Sequence, residues 1–217
     1  MESALAAVVF DLDDTLAVTD RHRQRLLDDA TARVGTADVD RAVYLDTHGA
    51  VEATETRAPI FERLVADEAA AAVAAAYREA VGEALRPVPG AAELVRRLRD
   101  SYRVGLLTDG PLAAQRDKLD RLGWTTLFDT VVITGELPAG KPDSGAFERV
   151  CADLNVDPAR AAYVGDRPEV DIAGAAAAGL RPVQVTYPDG PSPHPAAAAT
   201  VERAEIAERL PDVLASV

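Results

Sequence analysis

The chain has 217 residues, 36 acidic against 23 Lys or Arg, which gives a formal net charge of −13. A hydrophobic fraction of 48% beside 27% charged residues argues against a disordered chain, and so acidic a balance argues against non-specific binding to DNA or RNA, which needs a basic face to displace counterions. No segment approaches the roughly 20 apolar residues of a membrane span; the single cysteine, Cys151, makes neither an intramolecular disulfide nor a cysteine-rich zinc site and suits the reducing cytoplasm.

The first apolar run, residues 6–10, follows Glu2 without a basic stretch and reads as a strand rather than a signal peptide. It ends in Asp11-Leu12-Asp13-Asp14-Thr15. On an extended chain residues i and i+2 point the same way, so Asp11 and Asp13 project together from the carboxyl end of that strand. A helix-capping turn accounts for Asp14 and Thr15 but not for the pair.

About ninety residues then pass before the next apolar run, far more than a crossover needs. Their text is helical over 20–34, 39–50, 57–65 and 67–85, with no run of valine or isoleucine, so a small helical subdomain is expected over 17–86. Residues 86–90 read as the return hinge, with Gly90 opening a core helix.

The second run, 104–107, ends in Thr108-Asp109-Gly110-Pro111. A hydroxyl followed by free N–H groups at a helix start can hold a phosphate; an ordinary helix cap is the alternative. After the third run, 131–133, comes Gly140-Lys141-Pro142, where one of only two lysines (the other is Lys118) is held by rigid backbone as a fixed charge, or is a solvated turn residue. The fourth run, 162–164, ends in Gly165-Asp166-Arg167-Pro168-Glu169-Val170-Asp171. Asp166 and Asp171 together with Asp11 offer the hard oxygen donors that suit Mg²⁺; an acidic N-cap on a helix over 171–178 is the bland alternative. The fifth run, 182–185, precedes a surface loop over 188–195 and a C-terminal helix. Runs apolar throughout suit central parallel strands, so the fold class is α/β, a doubly wound, Rossmann-like parallel sheet.

All four motifs fall directly after predicted strands, in one order, and so converge on one edge of the sheet. On these residues the chain resembles the haloacid dehalogenase superfamily: Asp-x-Asp-x-Thr at 11–15, then Thr108, Lys141, and Asp166 with Asp171. The helical insertion sits where one large, phosphoglycolate phosphatase-like branch carries its cap. The resemblance implies a Rossmannoid core over 1–16 and 87–217 and a helical cap over 17–86. It implies that Asp11 is the nucleophile forming an aspartyl-phosphate and Asp13 the acid and base. Thr108 would then hold phosphoryl oxygens with the neighbouring Asp109 and Gly110, and Lys141 would balance charge. Mg²⁺ would be held by Asp11, the Asp13 carbonyl, Asp166 and Asp171.

Some positions depart from the commonest family text: Asp14 stands where glycine is frequent, Asp109 where asparagine is frequent, and Arg167-Pro168 replaces a small polar stretch. Asp109 adds a negative charge near the phosphate. The expected substrate is a small phosphorylated metabolite (phosphoglycolate, a sugar phosphate and a nucleoside monophosphate all stay open). His48 and Arg57 stand out among the cap's Arg21, His22, Arg23, His48, Arg57 and Arg63 as groups to contact it. A phosphomutase, or in another class a phospho-accepting receiver domain, is the alternative; monomer and homodimer both stay open.

Overall fold

The computed structural model describes residues 4–217; residues 1–3, at the start of the expected core span and including Glu2, lie outside the described residues. The chain opens on β1 (Ala7–Phe10) and β2 (Ala17–Thr19). Four helices follow: α1 (Arg23–Val34), α2 (Arg41–Ala50), α3 (Ala58–Phe61) and α4 (Asp67–Ala84). Next come β3 (Leu85–Pro87), α5 (Ala91–Leu98), β4 (Arg103–Thr108), α6 (Leu112–Leu122) and β5 (Thr130–Ile133). The remainder is α7 (Ser144–Leu154), β6 (Ala161–Gly165), a π-helical turn over Pro168–Ala173, α8 (Gly174–Ala177), β7 (Arg181–Thr186), β8 (Ala199–Glu202) and α9 (Ile206–Ser216).

Six strands form one sheet in the order β5-β4-β1-β6-β7-β8, every neighbouring pair parallel. This is the doubly wound α/β fold. All four residues of β1 are buried, as a strand covered on both faces requires. One of those faces is a core in which Val9, Leu107, Val132 and Tyr163 meet Phe147, Val150 and Cys151 of α7. Cys151 is a buried packing residue, and burial pushes its thiol up to about 11. The chain winds outward from β1 to β4 and β5, then returns to β6 on the other side. β1 is therefore the switch point, where open α/β sheets bind ligands beyond the carboxyl ends of their strands. In register, Phe10 lies between Leu106 and Val164, so the ends of β4, β1 and β6 are adjacent.

The described residues divide into two compact units, those up to 18 with 87–109 and 123–217 in one and 19–86 with 110–122 in the other. The second has its own core. α4 presents Ala70, Val73, Ala74, Tyr77, Ala80, Val81 and Ala84 on one stripe at helical spacing, and it packs on Leu26, Leu27 and Ala30 of α1. Tyr44, Phe61 and Tyr77 meet with ring centroids 5.3 to 5.8 Å apart. The ends of its helices are closed locally: Asp40 accepts from the Ala42 and Val43 amides, and Asp67 and Glu68 sit in the first turn of α4.

In three places the structure departs from the sequence reading. The segment 110–122, carried by α6 and assigned there to the core, groups with the helical unit. The Arg121 side chain lies over Gly82 of α4, where a Cβ would displace it, and it binds Glu79 of α4 at 2.6 Å and Asp117 of its own helix at 2.8 Å. The stretch expected to be wholly helical begins and ends in the short strands β2 and β3, which pair with each other. β8 was missed because it shows no apolar run; Val201 is its only fully buried residue, as suits a short edge strand. No helix among the described residues is long and apolar enough to cross a membrane.

Candidate active site

Each strand end supplies one part of the site. Asp11 follows β1 directly, and its backbone N–H still donates to Val164 O of β6 at 2.9 Å, so the strand's ladder fixes where the carboxylate starts. Asp13, two residues on and partly exposed, bridges to Ala17. Asp14 adopts φ 58°, a left-handed conformation that asparagine, aspartate and glycine tolerate best. Thr108 is the last residue of β4, Asp166 follows β6, and Asp171 lies in the π-helical turn. That turn reaches the strand because residue 165 is glycine: a Cβ there would stand 2.8 Å from Asp171 Cγ.

Lys141 ties these parts together. Its ammonium is buried and lies 2.7 Å from Asp11 Oδ1, 2.7 Å from Asp171 Oδ1 and 2.7 Å from the Tyr163 hydroxyl oxygen. Those three acceptors satisfy its three N–H donors. Burial works to lower the lysine pKa, but Asp11 and Asp171 carry it above the ordinary value, so the side chain stays charged. Two carboxylates then share one cation. Burial pushes Asp11 up to about 8 against the pull of Lys141, with Asp171 adding to the rise, while Lys141 and Arg167 overcome burial at Asp171 and hold it low.

Asp11, Asp166 and Asp171 each offer an oxygen, and these atoms lie within 4.8 Å of one another. The Asp13 side chain is not among them. Asp166 Oδ2 accepts from the Tyr187 hydroxyl at 3.1 Å, while buried Oδ1 has no hydrogen-bond partner among the described residues. Burial first, then Asp171, pushes Asp166 up to about 7. Three close carboxylates with one orphaned oxygen are a poor arrangement for protein alone and a good one for a hard divalent cation such as Mg²⁺. Buried Thr108 Oγ1 likewise has no partner among the described residues, a hydroxyl left over for a ligand's oxygen.

The structure thus brings Asp11, Lys141, Asp166 and Asp171 together, with Thr108 at the adjacent strand end. Asp109 is partly buried and accepts from the Lys141 backbone N–H at 3.1 Å. Gly110, with φ 133°, opens the segment that belongs to the helical unit. His48 and Arg57 also belong to that unit: His48 lies 5.8 Å from the Tyr44 ring, and the Arg57 guanidinium stands 5.6 Å over the Tyr77 ring.

Four residues escaped the sequence reading. Tyr163 was hidden in an apolar run, although a phenol in a buried strand needs a polar partner and so carries a signal. Arg167 stands out in the sequence only as unusual text; it pairs with Asp109 and lies 3.6 Å from Asp171 Oδ2. Tyr187 orients Asp166, and Arg203 stacks 3.9 Å over the Tyr187 ring while donating to the Asp14 carbonyl at 3.0 Å. Both come from the segment after β7, where no motif marks them.

The haloacid dehalogenase-like hydrolase family matches residues 5–179. The chain is 30% identical to a glyceraldehyde 3-phosphate phosphatase of Methanopyrus kandleri over 195 residues, covering 83% of this chain and 84% of that protein. It is 43% identical to a phosphoglycolate phosphatase of Cereibacter sphaeroides over 94 residues, 43% of this chain and 42% of that protein. The crystal structure of CbbY from Rhodobacter sphaeroides in complex with phosphate superposes with a TM-score of 0.72 at 21% identity, covering 93% of this chain and 96% of that one, a likeness of fold. The chain belongs to the haloacid dehalogenase-like hydrolase family. That membership sets aside the receiver-domain alternative.

Proposed function

We propose that the protein is a Mg²⁺-dependent phosphatase that hydrolyses a small phosphate monoester through an aspartyl-phosphate on Asp11. The observation that carries this reading is the buried Lys141 ammonium 2.7 Å from Asp11 Oδ1, beside a cluster of three carboxylates. A carboxylate nucleophile that must accept a dianionic group needs cationic charge fixed against it, and Lys141 is held there from three sides.

The steps follow from the chain's own residues. An Asp11 oxygen attacks phosphorus, the ester P–O bond breaks, and Asp13 protonates the departing alkoxide. Asp13, now a carboxylate, takes a proton from water, which attacks the aspartyl-phosphate and releases inorganic phosphate with Asp11 restored. The Thr108 hydroxyl donates to a phosphoryl oxygen, a partner that it lacks among the described residues. Mg²⁺, held by Asp11, Asp166, Asp171 and the Asp13 carbonyl, would supply positive charge against the phosphoryl oxygens. Unaided monoester hydrolysis is so slow that positioning and charge together must lower the barrier by upwards of roughly 20 kcal/mol.

In this reading the helical unit is a cap that sets specificity, with His48 and Arg57 contacting a second anionic group of the substrate. Relatives named for glyceraldehyde 3-phosphate, phosphoglycolate and phosphoserine support a small phosphorylated metabolite as the substrate class, and hence a cytoplasmic enzyme. The test is release of inorganic phosphate from a panel of such esters, with and without Mg²⁺, at low and molar salt. Turnover is expected only with metal and is lost in Asp11→Asn; absence of turnover on every ester at either salt overturns the reading.

A further inference from the structure

Asp109 and Arg167, the two unusual residues nearest the phosphate position in sequence, meet in space. One oxygen of the Asp109 carboxylate accepts from the Lys141 backbone N–H at 3.1 Å, and the other accepts from Arg167 Nη2. The Arg167 backbone N–H in turn donates to Asp171 Oδ2 at 2.9 Å. One carboxylate thereby links the loops that follow β4, β5 and β6, and it touches the backbone of the very residue whose ammonium faces Asp11.

The chemistry of this link is specific. A carboxylate is acceptor-only on both oxygens and can serve two donors on opposite sides, whereas an amide can serve one and must turn an NH₂ group towards the other. With arginine at 167, asparagine at 109 would set donor against donor; without arginine at 167, aspartate at 109 would lose the cation that its Oδ2 faces, near where a phosphate must enter. We infer that Asp109 and Arg167 act as one positioning pair, holding the Lys141 loop in place and cancelling the charge that would otherwise weaken phosphate binding. The inference rests on the phosphatase reading for its kinetic consequences, and on geometry alone for the link itself.

The experiment compares the full-length wild type with Asp109→Asn, Arg167→Ser and the double variant, measuring kcat and KM for phosphate release with saturating Mg²⁺. Hydrogen exchange at the Lys141 amide is measured on the same four proteins. Arg167→Ser should act mainly on KM, raising it roughly tenfold through the unmasked carboxylate, and Asp109→Asn mainly on kcat, lowering it by a similar factor while Lys141 amide exchange accelerates. In the double variant the amide oxygen is free to serve the Lys141 N–H and no excess charge remains. Its kcat/KM should exceed that of either single variant, and its exchange should slow again. Losses that simply multiply overturn the pair. If the wild type releases no phosphate from any ester, the phosphatase reading fails separately, and unchanged Lys141 exchange in Asp109→Asn would still overturn the link.

Discussion

At the scale of single residues, the site stores an imbalance of charge: Lys141 faces both Asp11 and Asp171, and Asp166 adds a third carboxylate within 4.8 Å of them. Burial lifts Asp11 to about 8 and Asp166 to about 7, whereas in the unfolded chain both titrate near the ordinary ~3.9. Between these limits the metal-free folded protein binds protons that the unfolded chain has released, so its stability falls as pH rises from about 4 to 8. The Tm in EDTA should decline over this range, and Asp166→Asn should flatten the decline. Added Mg²⁺ should raise the Tm more at pH 8 than at pH 5, because its ligands must be deprotonated. Thermal scans at three pH values, with and without metal, check this; equal Mg²⁺ gains at pH 5 and pH 8 would contradict it. Much of this cluster was legible in the sequence, because Asp11, Thr108 and Asp166 each stand at or just after the end of an apolar strand run. What was not legible is pairing between loops. Asp109 and Arg167 were visible as two separate oddities, and only the arrangement of β4 and β6 on either side of β1 brings them together.

At the scale of elements, placement of Asp171 depends on a π-helical turn packed against the end of β6. The sequence reading expected a regular helix over 171–178, since the acidic and alanine-rich text there is compatible with either; the wider turn over Pro168–Ala173 is a matter of fit to the strand. Gly165 makes that fit possible. Gly165→Ala would set a Cβ 2.8 Å from the Asp171 carboxyl carbon, with no flexible chain end to yield, so Asp171 must move away from Lys141. Overpacking of this kind costs about 1–3 kcal/mol. Urea unfolding should show that loss, and calorimetric Mg²⁺ titration should show weakened binding; a variant with wild-type values of both would mean that the turn shifts as a body and carries Asp171 with it. The edge strand β8 shows the opposite limit of sequence reading. An edge strand needs only one covered face and little apolar text, so residues 199–202 offered no periodic signal to find.

At the scale of the whole molecule, the chain passes between the two units four times, at 18/19, 86/87, 109/110 and 122/123. An over-long spacer between strands is conspicuous in the sequence, which is why an insertion is expected over 17–86, beside the 19–86 of the structure. The other two passages were invisible, since α6 has the length and setting of an ordinary crossover helix, and nothing in its own text marks the Arg121 bridge to Glu79 of α4. A chain with residues 19–86 replaced by a short linker should therefore not retain an intact remainder. α6 would lose the helix it packs on, exposing Ala114, which lies beside Ala71 and Ala74 of α4 and is now 4% exposed. Such a variant should expose apolar surface to a hydrophobic dye and lose helical signal beyond that of the deleted residues; a well-folded, dye-silent product would show that α6 stands without α4.

The grafting of one fold's specificity onto another is usually imagined as exchanging an inserted cassette between two splice points. Here α6, which follows the Thr108 loop, groups with the insertion, so a transplanted insertion would arrive without a helix that lies some twenty-five residues downstream in the host. Chimeras that exchange the insertion should therefore travel with 110–122 included.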